Sequence, residues 1–449
     1  MLEPENNPNS ASIVDPSRTL RFIIAKLFSR IASSRQIAKK RAAFEKKRRA
    51  KQCGHVVEYF HQLDDPYSHL TAQILARFAE RYDVEIIPHL IRATGGKDQP
   101  EQDKLTVWAR RDAEMIAPHL GLNFPVDAAV TPSPERQHQA ASRLTDLSRD
   151  GFIREIASIS SDMWFDKTIA PGQSDEADIN RALDNGSQRL AALGHYSGAT
   201  FYYGGEWYWG VDRLFHLEQR LRDLGACKAS GEPYLVTRPS HDLDGIDASN
   251  LDLHFFPSLN SPYTSIIYDR TLALVQACHI QFHHKPVLPM VMRGVPATRA
   301  KSKYIMFDTK READFFGVPF GKLVPPIGSP TRQAYSLLPW ARSLGKDCEL
   351  LSTLLRHAWS QGKGLHKPSH MQQAVEEAGL DWNRALEHMG TDNWKIEVEK
   401  NQDEMVDGMG LWGVPCYKLC GPSGEPDLVV WGQDRLWLVA AEIRRRTAL

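Results

Sequence analysis

A few short stretches hold residues whose types and spacing could do chemistry. In "HFFPSLNSPYTSI", His254 to Ile266, an apolar run stops at a polar turn, Ser261-Pro262-Tyr263-Thr264, and an apolar-periodic segment follows. This is a strand-to-helix junction, and the N-terminus of the helix it opens offers N–H groups and a positive dipole to an anion. Taken alone, Ser261 reads as a helix N-cap. The histidine-rich "HIQFHHK" (His279, His283, His284) suggests a metal, but no acid or cysteine stands at ligand spacing, so no metal is expected. The six cysteines (Cys53, Cys227, Cys278, Cys348, Cys416, Cys420) include no Cys-x-x-Cys pair. That pattern predicts reduced thiols and a cytoplasmic protein. Cys416 and Cys420, on one strand, would lie roughly 13 Å apart and could not bridge.

The elements that must position these residues occur twice. Asp65-Pro66-Tyr67-Ser68 follows the apolar "VVEYF" as Ser261-Pro262-Tyr263-Thr264 follows "LHFF", at an offset of 196 residues. The same offset carries Asp112 to Asp308 and "GLNF" (Gly121 to Phe124) to "GVPF" (Gly317 to Phe320). A second landmark, Trp-Gly-x-Asp-Arg, recurs at an offset of 222, so the second copy has a longer middle section. Each copy reads as strand, Pro turn, amphipathic helix, second strand ("VEIIPHLI", "IQFHHKPVLPMV"), a helical stretch, a hairpin and a last helix. That order, β-α-β, helices, β-β-α, predicts an α/β fold of two tandem thioredoxin-like domains, each with a helical insertion. The boundaries are a polar tail and basic helix over 1–52, domain one over 53–227, a linker over 228–249, and domain two over 250–449.

Lysine plus arginine equals aspartate plus glutamate at 55 each, so the chain as a whole argues against nucleic acid. The charge is uneven, however. Between Ser17 and Lys51 stand thirteen basic residues and one acid, Glu45. Leu20, Ile24, Leu27 and Ile31 fall on one helical face there. A basic amphipathic helix can lie on an anionic membrane surface or dock on a partner; the plainer expectation is a solvated helix packed on domain one. No run of about eighteen apolar residues is present to span a membrane, and the polar N-terminus is not expected to be a secretory signal.

In copy two, "SPYT", "GVPF", "GLWGVPCY" and "WGQDRL", in that order, resemble the DsbA-like thioredoxin superfamily. Within it the resemblance is to the branch of 2-hydroxychromene-2-carboxylate isomerases and kappa-class glutathione transferases, and it extends more weakly to copy one. The disulfide oxidants of the superfamily hold two cysteines in the Pro turn. Here those slots are Asp65 and Ser68, and Ser261 and Thr264, so a resident dithiol is excluded. The resemblance implies glutathione as cofactor, with the Ser261 hydroxyl donating to its thiolate. It also implies Pro415 as a cis-proline, the backbone of Val414 pairing with the cysteinyl unit, and Gln433 and Asp434 at the γ-glutamyl end.

Tyr263, Thr264, Lys301, Lys303 and Cys416 are secondary candidates. The family's Asn in the loop after strand two is missing, and Cys416 replaces the Thr that usually follows the cis-proline. In copy one Asp65 would repel a thiolate, Ala199 takes the proline slot, and Asp212 reads as an N-cap, so that copy is expected to be degenerate. The implied activity is a glutathione-dependent isomerisation or transfer on a small aromatic or electrophilic substrate. The alternatives are a kappa-like transferase or peroxidase and a non-catalytic thioredoxin-fold binding module. Oligomeric state is left open, since two copies in one chain could replace a homodimer.

Overall fold

The computed structural model describes residues 15–126, 131–229, 231–294 and 298–448. Most of the expected polar tail therefore lies outside the described residues. The chain forms two compact units, residues 39–239 and residues 1–38 with 240–449.

In the unit of residues 39–239, β1 (His55–Gln62) is followed by α3 (Pro66–Arg81) and β2 (Val84–Ile91). The helices α4 (Gln102–Ile116), α5 (Pro134–Thr145), α6 (Arg149–Trp164) and α7 (Glu176–Leu193) come next. A hairpin of β3 (Thr200–Tyr203) and β4 (Glu206–Trp209) then leads into α8 (Gly210–Asp223). The sheet order is β2-β1-β3-β4, with β1 parallel to β2 and antiparallel to β3. A central strand covered on both faces needs a continuous apolar run, and Val57, Tyr59 and Phe60 are fully buried in it. Gly204 and Gly205 both have positive φ, 56° and 86°, as the two-residue hairpin turn requires.

The second sheet, in the other unit, repeats that pattern. It consists of β5 (Asp252–Phe256), β6 (Gln281–His284), β7 (Cys416–Cys420) and β8 (Leu428–Trp431), in the order β6-β5-β7-β8 with the same pairing senses. Helix α9 (Pro262–Cys278) links β5 to β6 and α10 (Arg299–Phe316) follows. Between α10 and β7 lie α11 (Ser329–Ser336), α12 (Leu338–Ser343), α13 (Asp347–Arg356), α14 (Pro368–Glu377), α15 (Trp382–His388) and α16 (Trp394–Asp403), and α17 (Leu436–Thr447) closes the chain. Strand β6 is much shorter than the expected "IQFHHKPVLPMV", because Pro286 and Pro289 have no N–H to give a ladder.

Several hydrogen bonds are made by matching residues in both units, and three of them tie the turn to its surroundings. Tyr67 donates to Asp112 (2.7 Å) as Tyr263 does to Asp308 (2.8 Å). The Ser68 hydroxyl accepts from Gln62 N (3.2 Å) as that of Thr264 does from Ser258 N (3.3 Å). Gly210 N donates to Ala199 O (2.7 Å) as Gly432 N does to Pro415 O (2.9 Å).

The basic segment differs from expectation. It is two helices, α1 (Arg18–Ile31) and α2 (Ser34–Ala50), because the Ser33 side chain caps the second by accepting from Gln36 N at 3.4 Å. The segment is divided between the units: from residue 39 onward α2 packs on domain one as expected, with Glu45 accepting from Tyr203 OH (2.9 Å) and Arg41 pairing with Glu206 (2.6 Å), whereas α1 does not belong to that unit. Helix α1 belongs to the unit of residues 240–449, where its Ser29 hydroxyl accepts from Leu323 N (2.9 Å) and it packs on α10. The linker, too, is divided: residues 228–239 join the first unit, where Leu235 N bonds to buried Glu218, and 240–249 join the second. Among the described residues no helix is long and apolar enough to cross a membrane.

Candidate functional site

The site is built at the junction of β5 and α9. Ser261 leaves the strand in an extended conformation and caps α9, its Oγ accepting from Thr264 N at 3.1 Å. The hydroxyl proton is directed at Val414 O, at 3.5 Å, the far limit of a hydrogen bond. The Val414–Pro415 bond is cis, and Pro415 runs directly into β7, where Cys416 pairs with Phe256. Ser261 is 7% exposed and Val414 half-buried, so the cis-proline loop lies across the helix N-terminus with its rim open. Ser261 thus holds a weakly used donor at the positive end of a 17-residue helix.

The secondary candidates separate clearly. Thr264 is fully buried and its hydroxyl ties α9 back to Ser258, so it is not a ligand-facing group. Tyr263 bonds to Asp308, a fully buried carboxylate also held by Arg311 at 2.7 Å, and so fixes α9 to α10. Cys416 is fully buried, donates to Gly413 O at 2.9 Å, and burial pushes its thiol well up, which removes it as a reactive thiol. Lys301 lies in the first turn of α10 and Lys303 in the second, Lys303 exposed. Gln433 is turned inward. Its Nε2 donates to buried Glu312 (2.8 Å), while Oε1 has no hydrogen-bond partner. Asp434 follows Gly432, whose φ of 119° folds the turn so tightly that a Cβ there would meet Asp434 Oδ1 at 2.5 Å.

Two residues escaped the sequence reading. Arg293, in the loop after β6, donates to Leu288 O (3.1 Å) and to Trp412 O, so its charge anchors the cis-proline loop. Burial pulls it down to about 10, and the neighbouring Cys416 opposes that. Asn260, beside Ser261, has both side-chain amide atoms buried and without a hydrogen-bond partner. A buried amide left unpaired costs about 1–3 kcal/mol, which marks the position as one that a ligand could satisfy. Its counterpart Asp64 is paired, accepting from Gln62 Nε2 at 3.0 Å.

The first unit closes the same place. Asp65 caps α3, accepting from Tyr67 N (3.3 Å), Ser68 N (2.9 Å) and the Ser68 hydroxyl (2.7 Å). Burial, with Asp64 nearby, pushes it up to about 6, against the pull of Ser68. Ala199 has φ 55°, and the cis bonds among the described residues precede Pro415 and Pro422 only. Gly198 lies so near the turn that a Cβ would meet Gln62 Cβ at 2.7 Å and Ser68 Oγ at 3.1 Å. A carboxylate occupies the donor's place, and the backbone fills the gap beside it. Asp212 lies in the first turn of α8 and is not its N-cap residue, which is Trp209.

The histidines need one correction. The fold gathers His284, Asp347 and Cys348, whose ligand atoms lie within 4.8 Å of one another, although the last two are far away in sequence. His284 Nδ1 contacts Asp347 at 2.7 Å and Nε2 contacts Tyr268 OH at 2.9 Å, while Asp347 also accepts from Arg342 at 3.1 Å. Burial pushes Cys348 up to about 12. These groups are spent on one another, as in a buried polar network.

Residues 252–444 match the family model of the DSBA-like thioredoxin domain. These residues carry a DSBA-like thioredoxin fold. Among solved structures, a 2-hydroxychromene-2-carboxylate isomerase is 16% identical with a TM-score of 0.36, covering 43% of this chain and 95% of that one. A cytosolic disulfide reductase, DsbM, from Pseudomonas aeruginosa is 17% identical with a TM-score of 0.33, covering 43% and 98%. A probable DsbA oxidoreductase from Streptomyces coelicolor is 15% identical with a TM-score of 0.34, covering 43% and 90%. No curated protein matches the chain.

Proposed function

We propose that the domain of residues 252–444 binds glutathione as a thiolate between Ser261 and the Val414–Pro415 loop, and uses it as a cofactor. The observation that carries this reading is the Ser261 hydroxyl, weakly engaged at 3.5 Å and seated at the N-terminus of α9 opposite a cis-proline. In this reading the hydroxyl turns from Val414 O to the sulfur, and Val414 N–H and C=O pair with the cysteinyl unit as an added strand does. Asn260 supplies an amide to the bound tripeptide. Asp434 faces the γ-glutamyl end, with Gln433 acting behind it through Glu312.

For an isomerase of the hydroxychromene type, the thiolate adds to a conjugated carbon and the electrons move onto the far carbonyl. A single bond turns, and the electrons return to expel the thiolate, so glutathione is not consumed. A kappa-like transferase shares every step up to the addition and is told apart by loss of free glutathione. A second reading, a non-catalytic thioredoxin-fold module, is favoured by the inward turn of Gln433, which takes one family-implied ligand out of the pocket. We also read the two units as copies of one duplicated DsbA-like domain, on the strength of their shared strand order and matching hydrogen bonds. The six unpaired cysteines favour a cytoplasmic setting.

Titration of the whole chain with glutathione by calorimetry tests the reading. One molecule per chain is expected, lost in Ser261→Ala and kept in Asp65→Asn. Two per chain would mean the first unit also binds. No binding would leave the non-catalytic module.

A further inference from the structure

Helix α1 leaves a contiguous apolar stripe in solvent. Leu20 (47% exposed), Ile23 (54%) and Leu27 (51%) recur at i, i+3 and i+7 on one face. Phe22, 61% exposed, lies beyond Lys26, whose ammonium stands 5.0 Å from its ring centroid. The opposite face is already committed. Buried Arg21 pairs with Asp15 at 2.5 Å, Asp15 accepts from Ser329 N at 2.8 Å, and Ser29 accepts from Leu323 N at 2.9 Å. These ties fix the rotation of the helix, so the stripe cannot turn inward.

Exposed apolar side chains in such a row mark an interaction surface, and the charge around them says of what kind. Lys26 and Arg30 flank the stripe, Arg18 and Arg35 are exposed at the two ends, and no acid occurs between Ser17 and Phe44. A partner must therefore be apolar beneath and anionic at its rim. We infer that α1 docks the chain on an anionic phospholipid surface, with Leu20, Ile23 and Leu27 among the acyl chains and Lys26 and Arg30 at the headgroups. The docking itself does not depend on the glutathione reading.

The test is flotation of the whole chain with vesicles of phosphatidylcholine, with and without phosphatidylserine. Binding is expected only with phosphatidylserine and should fall with salt. Ile23→Glu with Leu27→Glu should weaken it by at least about tenfold, since two buried aliphatic side chains are lost. Both positions are exposed, and an unchanged circular dichroism melt shows that the variant folds. Lys26→Glu with Arg30→Glu should remove the preference for phosphatidylserine. Equal binding to both vesicles, binding indifferent to the Ile23 and Leu27 changes, or no flotation would each overturn the inference. So would a stripe variant that alters only the oligomeric state in gel filtration.

Discussion

Asp65→Asn should make the first unit more stable than the wild type at about pH 8 and leave it nearly unchanged at about pH 4. The carboxyl titrates at about 6 in the folded chain, raised by burial, against about 3.9 when unfolded. An acid with a raised folded value binds more protons folded than unfolded, so stability falls as pH rises from about 4 to 6 and stays low above that window. The full difference corresponds to about 3 kcal/mol. The edge of the residue reaches water, which reduces the expected gain to about 1–2 kcal/mol. Asparagine is an equally good N-cap: its one carbonyl oxygen keeps the shorter bonds from Ser68 N and the Ser68 hydroxyl, and besides the charge only the long 3.3 Å bond from Tyr67 N is lost. Because two units need not unfold together, the readout is amide exchange of β1 and α3 by mass spectrometry against pH. A variant no more stable than wild type at about pH 8 would show that the helix N-terminus solvates this carboxylate fully, and would refute the reasoning.

Tyr263→Phe should destabilise the second unit by about 1–3 kcal/mol in denaturant melts, because it leaves buried Asp308 short of a donor. Tyr67→Phe should do the same to the first unit through Asp112. Asn260→Leu should raise stability by about 1–3 kcal/mol by removing an unpaired buried amide, while weakening any glutathione binding seen by calorimetry. Gly198→Ala should cost about 1–3 kcal/mol by forcing a Cβ into Gln62, measured by thermal unfolding. Under alkylation at mildly basic pH, exposed Cys53 should be modified first and buried Cys416 last, which peptide mapping would show.

What was legible in the sequence was local punctuation repeated at a fixed offset. Proline after a strand, and Trp-Gly-x-Asp-Arg at a helix start, locate turns whose geometry few residues can make. The order of elements along each copy, β-α-β and then β-β-α, followed from those turns. Contacts between distant segments were not legible. The sequence placed one helix over 17–51, because Ala32-Ser33 contains no glycine or proline; Ser33 breaks it by capping. The side of the molecule that α1 joins depends on Ser29 meeting Leu323, nearly three hundred residues away. Asp347 and Cys348 reach His284 only through packing of the inserted helices. Arg293 looked like one charge in a loop, and only its carbonyl partner in the cis-proline loop gives it a role. Gln433 matched by position, yet a neighbouring acid, Glu312, determined where its amide points.

The ionisation of bound glutathione is the most direct test of the central claim. A hydrogen bond from Ser261 to sulfur, typically about 1.5–3 kcal/mol, would bring a thiol of about 8.5 down to roughly 6.5–7.5. At neutral pH the wild type with glutathione should therefore show strong ultraviolet thiolate absorbance that neither component shows alone. Ser261→Ala should abolish that absorbance, and Cys416→Ser should leave it in place. Glutathione bound with its thiol protonated, or the same absorbance in Ser261→Ala, would contradict the account.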